Sequence, residues 1–151
     1  MPNDLPNLIW VDCEMTGLDP VNDVLVEVSC VVTDGELNEI GPGFEAVITA
    51  PQAKLDTMDP FVVSMHTESG LLDLIPRGIT LEAAQDLLFT YITDLVPEAG
   101  KAPLGGSSVH VDRLFLPSAD PTKRSLLQHP QQFYLRGRGH LGNFVEEERA
   151  A

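Results

Sequence analysis

The sequence predicts an α/β domain, and three observations carry that expectation. Between Leu8 and Thr49 lie several short apolar runs, each bounded by turn residues and too short for a helix. From Thr80 to about Val96 runs one long amphipathic stretch. After it, Pro103-Leu104-Gly105-Gly106 offers a further short strand. Strands and helices alternating in this way pack as a sheet with helices laid on it.

Leu8-Ile9-Trp10-Val11 reads as a buried strand that ends in Asp12, and Thr16-Gly17-Leu18-Asp19-Pro20 carries strong turn signals. Val24 to Val32 is rich in valine and partly alternating, so it reads as a second strand. Asp34-Gly35 is a hairpin signal, and Glu45 to Thr49 supplies a third strand. Three strands joined by short turns imply an antiparallel meander. Pro60 to Ser69 reads as a short helix or a loop. Thr80 is placed to cap the long helix, whose Leu81, Ala84, Leu88, Tyr91, Ile92 and Leu95 share one face. Pro97 and Gly100 end it, and Val109 to Leu116 starts another helix. Beyond Leu116 the character changes: Pro117, Pro121 and Pro130 punctuate a polar stretch, Arg136-Gly137-Arg138-Gly139 is basic, and Glu146 to Ala151 is a charged tail. The expected organisation is a folded domain over residues 1–116 and a poorly ordered tail over 117–151.

A chain of 151 residues with 43% hydrophobic content suits one domain with a real core. It contains no apolar run of about 18 residues, so no transmembrane helix is expected. Its first residues, MPNDLPNLIW, do not read as a secretion signal, and the expected compartment is the cytoplasm. Cys13 and Cys30 lie in apolar runs and read as buried thiols, with no nearby cluster that suggests zinc. The net charge of −14 excludes a general basic surface for long nucleic acid. A short nucleic acid remains compatible where metal ions supply the positive charge. Only Lys54 and Arg77 precede residue 100; the other basic residues follow it. A phosphate-binding Gly-x-x-x-x-Gly-Lys-[Ser/Thr] loop and a Gly-x-Ser-x-Gly elbow are both missing, which argues against P-loop enzymes and serine hydrolases.

The chemistry concentrates in Val11-Asp12-Cys13-Glu14-Met15-Thr16-Gly17. Period-2 spacing puts Asp12 and Glu14 on one face of a strand and Cys13 on the other. Two adjacent carboxylates repel each other, a divalent cation relieves the repulsion, and hard oxygen ligands suit Mg²⁺ or Mn²⁺. Taken alone, the pair also fits two solvated carboxylates at a strand end.

Three blocks together resemble oligoribonuclease, a member of the DEDD superfamily of 3′–5′ exonucleases. Asp12-Cys13-Glu14-Met15-Thr16-Gly17-Leu18-Asp19 resembles that family's first motif. Met58-Asp59-Pro60-Phe61 with His66-Thr67-Glu68-Ser69-Gly70-Leu71 resembles its middle segment. Gly105-Gly106-Ser107-Ser108-Val109-His110-Val111-Asp112-Arg113 resembles its second motif. The resemblance covers roughly residues 7 to 116. It implies a ribonuclease-H-like fold with a mixed sheet, incomplete after residue 116. It also implies a homodimer that degrades very short RNA oligonucleotides to 5′-mononucleotides. Asp12, Glu14 and Asp112 would be catalytic ligands of two Mg²⁺ or Mn²⁺ ions about 3.5–4 Å apart, and a histidine would act as general base. Leu18 and Phe61 match positions that pack against the terminal bases, and Ser108 matches one that holds the 5′ phosphate. Simpler roles exist beside these: Phe61 as core, Leu18 as a local anchor, Ser108 as a helix cap, His66 as a structural histidine and His110 as a surface residue.

The third motif of that family, a histidine followed five residues later by an aspartate, does not recur. His140 is the nearest match, but Val145 stands five residues on and Glu146 six. Phe133-Tyr134-Leu135-Arg136 only faintly resembles the family's aromatic-arginine segment. Two alternatives to a working exonuclease follow, a catalytically impaired dinucleotide-binding remnant and a frameshifted fragment. Sequencing the coding DNA decides the second, because an alternative frame should restore a His-x4-Asp segment.

Overall fold

The computed structural model describes residues 5–98 and 100–116. Four strands form one sheet in the order β3-β2-β1-β4, with β1 at Leu8–Met15, β2 at Leu25–Thr33, β3 at Phe44–Val47 and β4 at Leu104–Gly105. β1, β2 and β3 pair antiparallel and β4 runs parallel to β1, so the sheet is mixed and the meander is as expected. Short helices α1 (Gln52–Leu55), α2 (Pro60–Glu68) and α3 (Leu71–Leu74) lead through a 3₁₀ turn (Ile75–Arg77) to the long helix α4 (Leu81–Leu95). α5 (Val109–Phe115) follows β4. No helix among the described residues is long and apolar enough to cross a membrane.

The core lies on one face of the sheet. Ile9, Val11 and Cys13 of β1, with Val28, Cys30 and Val32 of β2, pack against Ala84, Leu88 and Ile92 of α4. Leu81, Tyr91 and Leu95 complete that helical face as partly buried neighbours. Thr80 starts α4 by accepting a hydrogen bond from the Ala83 amide at 3.2 Å, the N-cap that the sequence suggested. Val26, Leu71 and Ile75 form a smaller cluster that ties α3 to β2.

Two sequence expectations are corrected, one open alternative is settled as a helix, and two short helices were not expected. β1 does not stop at Asp12; it continues through Met15, because β2 keeps pairing with it past the apolar run. Asp12 and Glu14 therefore sit within a strand rather than at its end. The third strand begins one residue earlier than expected and ends at Val47, after which Ile48 bridges to Ile79. Pro60 to Glu68 is a helix, started by Asp59, whose side chain accepts from the Phe61 amide, and by Pro60 at its first position. The helices α1 and α3 have no counterpart in the periodicity, which is too weak over four residues to register. The expected tail, His140 included, lies outside the described residues.

Candidate active site

β1 alternates strictly from Ile9 to Cys13: Ile9, Val11 and Cys13 point into the core, while Trp10, Asp12 and Glu14 point to the opposite face. Asp12 is exposed and Glu14 is half-buried. The apolar core thus presents the two carboxylates outward as a consequence of burying their neighbours.

Asp112 joins them through backbone chemistry. β4 pairs with β1 only at Ile9 and Trp10, so the Cys13 amide on that edge has no strand partner. Asp112, on α5 and only 4% exposed, accepts a hydrogen bond from that amide at 3.1 Å. The third acid is thereby pinned to the residue that separates the first two. The chain reaches α5 through Gly106, where φ is +153° and an added Cβ would lie 2.4 Å from the Val11 carbonyl. Only glycine permits that approach of the β4–α5 loop to β1.

The loop after β1 is clamped by Asp23, which accepts from the Thr16 hydroxyl at 3.0 Å and from the Asp19 amide at 3.0 Å. Thr16 is buried and in turn accepts from the Val24 amide. This fixed loop holds Leu18 in solvent, 74% exposed, and α2 holds Phe61 there as well, 75% exposed. Neither side chain is core, so the core reading of Phe61 fails. Ser108 is exposed and lies in the left-handed region with φ 52°; its side chain makes no capping hydrogen bond to α5, against the capping role suggested by sequence. His110 is exposed, as expected of a surface residue.

Sequence reasoning placed His66 as structural but gave it no partner. The ring is buried, with Nε2 2.8 Å from the Met15 carbonyl and Nδ1 3.9 Å from Glu14 Oε2. Nothing in the one-dimensional pattern links residues so far apart. The role of Cys13 as amide donor to Asp112 was missed for the same reason; that of Asp23 as loop clamp is local, four to seven residues from its partners, but an irregular loop has no period from which to read it.

The acids influence one another. Burial holds the Glu14 carboxyl above the usual carboxylate range; the Asp12 and Asp112 charges add to this and His66 opposes it. Burial also raises Asp112, with the hydrogen bond from Cys13 working against it. The Cys13 thiol is pushed up by burial first and by the Asp112 and Asp12 charges after it. Among the described residues no three acid, histidine or cysteine side chains converge closely enough to hold an ion as they stand. The donor chemistry nevertheless fits a hard divalent cation. The donors are carboxylate oxygens, they come from one sheet face and one adjoining helix, and they repel each other.

The sequence pattern of the RNase T-type exonuclease family matches residues 9–132. An oligoribonuclease of Cutibacterium acnes is 47% identical over 122 residues, covering 81% of this chain and 60% of that protein. One of Streptomyces griseus is 50% identical over 109 residues, covering 72% of this chain and 54% of that protein. The chain thus spans between half and two thirds of the length of the curated relatives it matches. Among solved structures, apo Exonuclease I superimposes with a TM-score of 0.58 at 18% identity, over 75% of this chain and 24% of that one. Escherichia coli Exonuclease I in complex with a dT13 oligonucleotide gives 0.57 at 18% identity, over 74% of this chain and 22% of that one. These two establish the fold.

Proposed function

From the premise that this chain belongs to the exonuclease family, we propose that it is a 3′–5′ exoribonuclease of the oligoribonuclease kind, cutting very short RNA to 5′-mononucleotides. The observation that carries the proposal is the arrangement of the acids. Asp12 and Glu14 stand on the open face of β1, and Asp112 is bonded to the amide between them. The 47–50% identical relatives bearing the oligoribonuclease name support the same reading.

Asp12, Glu14 and Asp112 would hold the divalent ions, Mg²⁺ or Mn²⁺. When bound, such ions supply an activated water and stabilise the leaving oxygen. The remaining work falls to the chain. The exposed side chains of Leu18 and Phe61 offer apolar surface against which bases pack without regard to sequence. Ser108, whose side chain makes no capping hydrogen bond to α5, stands at the start of that helix, where the 5′ phosphate would lie. The Cys13 amide keeps Asp112 oriented while substrate binds. An acidic molecule of net charge −14 favours short substrates, because it has little positive surface along which a long strand would lie. The homodimer implied by the family resemblance and a cytoplasmic location belong to the same proposal. Two buried free thiols are in keeping with a reducing compartment.

One observation favours a second reading. His140 is followed at the fifth position by Val145, so a His-x4-Asp segment is missing from the sequence. A general base is worth about 10²–10⁴-fold in rate, so a chain that works without one is a dinucleotide-binding protein with impaired turnover. The deciding experiment uses a labelled RNA dinucleotide with Mn²⁺, with Asp12→Ala and Glu14→Ala run in parallel. Cleavage by the parent that both substitutions abolish is the expected result. Binding without cleavage by the parent replaces the enzymatic reading with the second one.

A further inference from the structure

We propose that His66 is a positioning residue for Glu14: its hydrogen bond to the Met15 carbonyl holds β1 where the strand pairing slips, and so sets the Glu14 carboxylate. The inference rests on the reading of Asp12, Glu14 and Asp112 as metal ligands.

The pairing of β1 with β2 is regular from Leu8 to Glu14, which faces Glu27. It then shifts, and Met15 faces Leu25, so one residue of β2 is passed over. Such an irregularity bends a strand and re-aims its side chains, and it leaves the local backbone less constrained by the ladder. The slip falls immediately after Glu14, where a metal site can least tolerate freedom. His66 spans it. A carbonyl only accepts, so Nε2 carries the proton and donates to Met15 at 2.8 Å. The same ring turns Nδ1 toward Glu14 Oε2 at 3.9 Å, beyond hydrogen-bond reach but in contact with the carboxylate's surroundings.

The ring is itself well held. It is 1% exposed, on a helix started by Asp59 and Pro60, and the Ser69 hydroxyl donates to the His66 carbonyl at 3.2 Å. A buried imidazole whose bond goes to a main-chain carbonyl 51 residues away fastens α2 to the end of β1. Because Phe61 is carried by the same helix, this bond also couples the proposed base-packing surface to the carboxylates.

The test measures Mn²⁺ binding by titration calorimetry, together with the urea unfolding midpoint, for the parent chain and for His66→Leu, His66→Gln, His66→Asn and Asp12→Ala. His66→Leu fills the space without the bond and is expected to weaken Mn²⁺ binding about 10–100-fold, the usual effect of removing a group that orients a ligand. His66→Gln places an amide N–H near the position of Nε2 and is expected to restore most of the affinity. His66→Asn, whose shorter amide falls short of Met15, is expected to bind as weakly as His66→Leu, and it decides the matter should His66→Leu not fold. Parent-like Mn²⁺ affinity in folded His66→Leu or His66→Asn overturns the proposal. So does a His66→Gln variant no better than His66→Leu, since the bond to Met15 would then not be the operative contact. A parent that binds Mn²⁺ only while Asp12 is present keeps the metal reading whatever the His66 variants do, whereas a parent without Mn²⁺ binding overturns both.

Discussion

Gly106 and Asp112 show how few atoms assemble the candidate site. The loop between β4 and α5 passes so close to β1 that no Cβ fits at Gly106, where φ is +153° and the Val11 carbonyl stands in the way. Gly106→Ala forces the loop off β1 and moves α5, which carries Asp112. We expect it to cost about 1–3 kcal/mol of stability, the range for a side chain forced into a glycine-only conformation, and to lower metal affinity as well. Urea unfolding measures the first effect, and a variant of unchanged stability would show that the loop has room to spare. The sequence made Asp112 a candidate through its place after Gly105-Gly106-Ser107-Ser108. It did not disclose that the Cys13 amide is the partner, because that bond exists only once β4 stops short along β1.

At the scale of elements, β1 and β2 set like charges against each other. Glu14 and Glu27 are directly opposed across the two strands, and Glu45 of β3 lies beyond. Like charges in cross-strand pairs destabilise. Burial first, then the Glu45 and Glu14 charges, hold the Glu27 carboxyl above its ordinary value of 4.5. A raised carboxyl prefers its neutral form. Its contribution to stability is therefore fully present below 4.5 and is lost as pH rises through the higher folded value. Glu27→Gln should accordingly raise the unfolding midpoint at neutral pH and change it little at pH below 4.5. An equal gain on both sides would show that charge is not the cause. Element types were legible where patterns were long: the valine-rich β2 and the α4 face of Leu81, Ala84, Leu88 and Ile92 both appear as read. The four-residue helices α1 and α3 were not, since one turn of helix carries no period.

For the molecule as a whole, the carboxylates on one sheet face and the net charge of −14 act together. Carboxylates gathered on that face repel one another until a cation neutralises them, so the fold itself should respond to metal. A ligand that binds only the native state stabilises it by mass action, about 2.7 kcal/mol at a hundredfold excess over its dissociation constant. Mn²⁺ is therefore expected to raise the thermal midpoint of the parent chain, and Asp12→Ala to remove the effect. An equal rise in both would assign the stabilisation to cations screening the surface rather than to the site.

The sequence by itself determined the fold class, the meander and the long helix, and it nominated the acids. Each of these rests on local spacing: alternation in a strand, 3.6-residue periodicity in a helix, or residues adjacent in a motif. Tertiary structure alone decided that Asp112 bonds between Asp12 and Glu14, that Phe61 stands in solvent rather than in the core, and that His66 reaches Met15. The two bonds join residues 99 and 51 positions apart. No period along the chain encodes them, because they come into being only when burying the core face of β1 turns its other face outward.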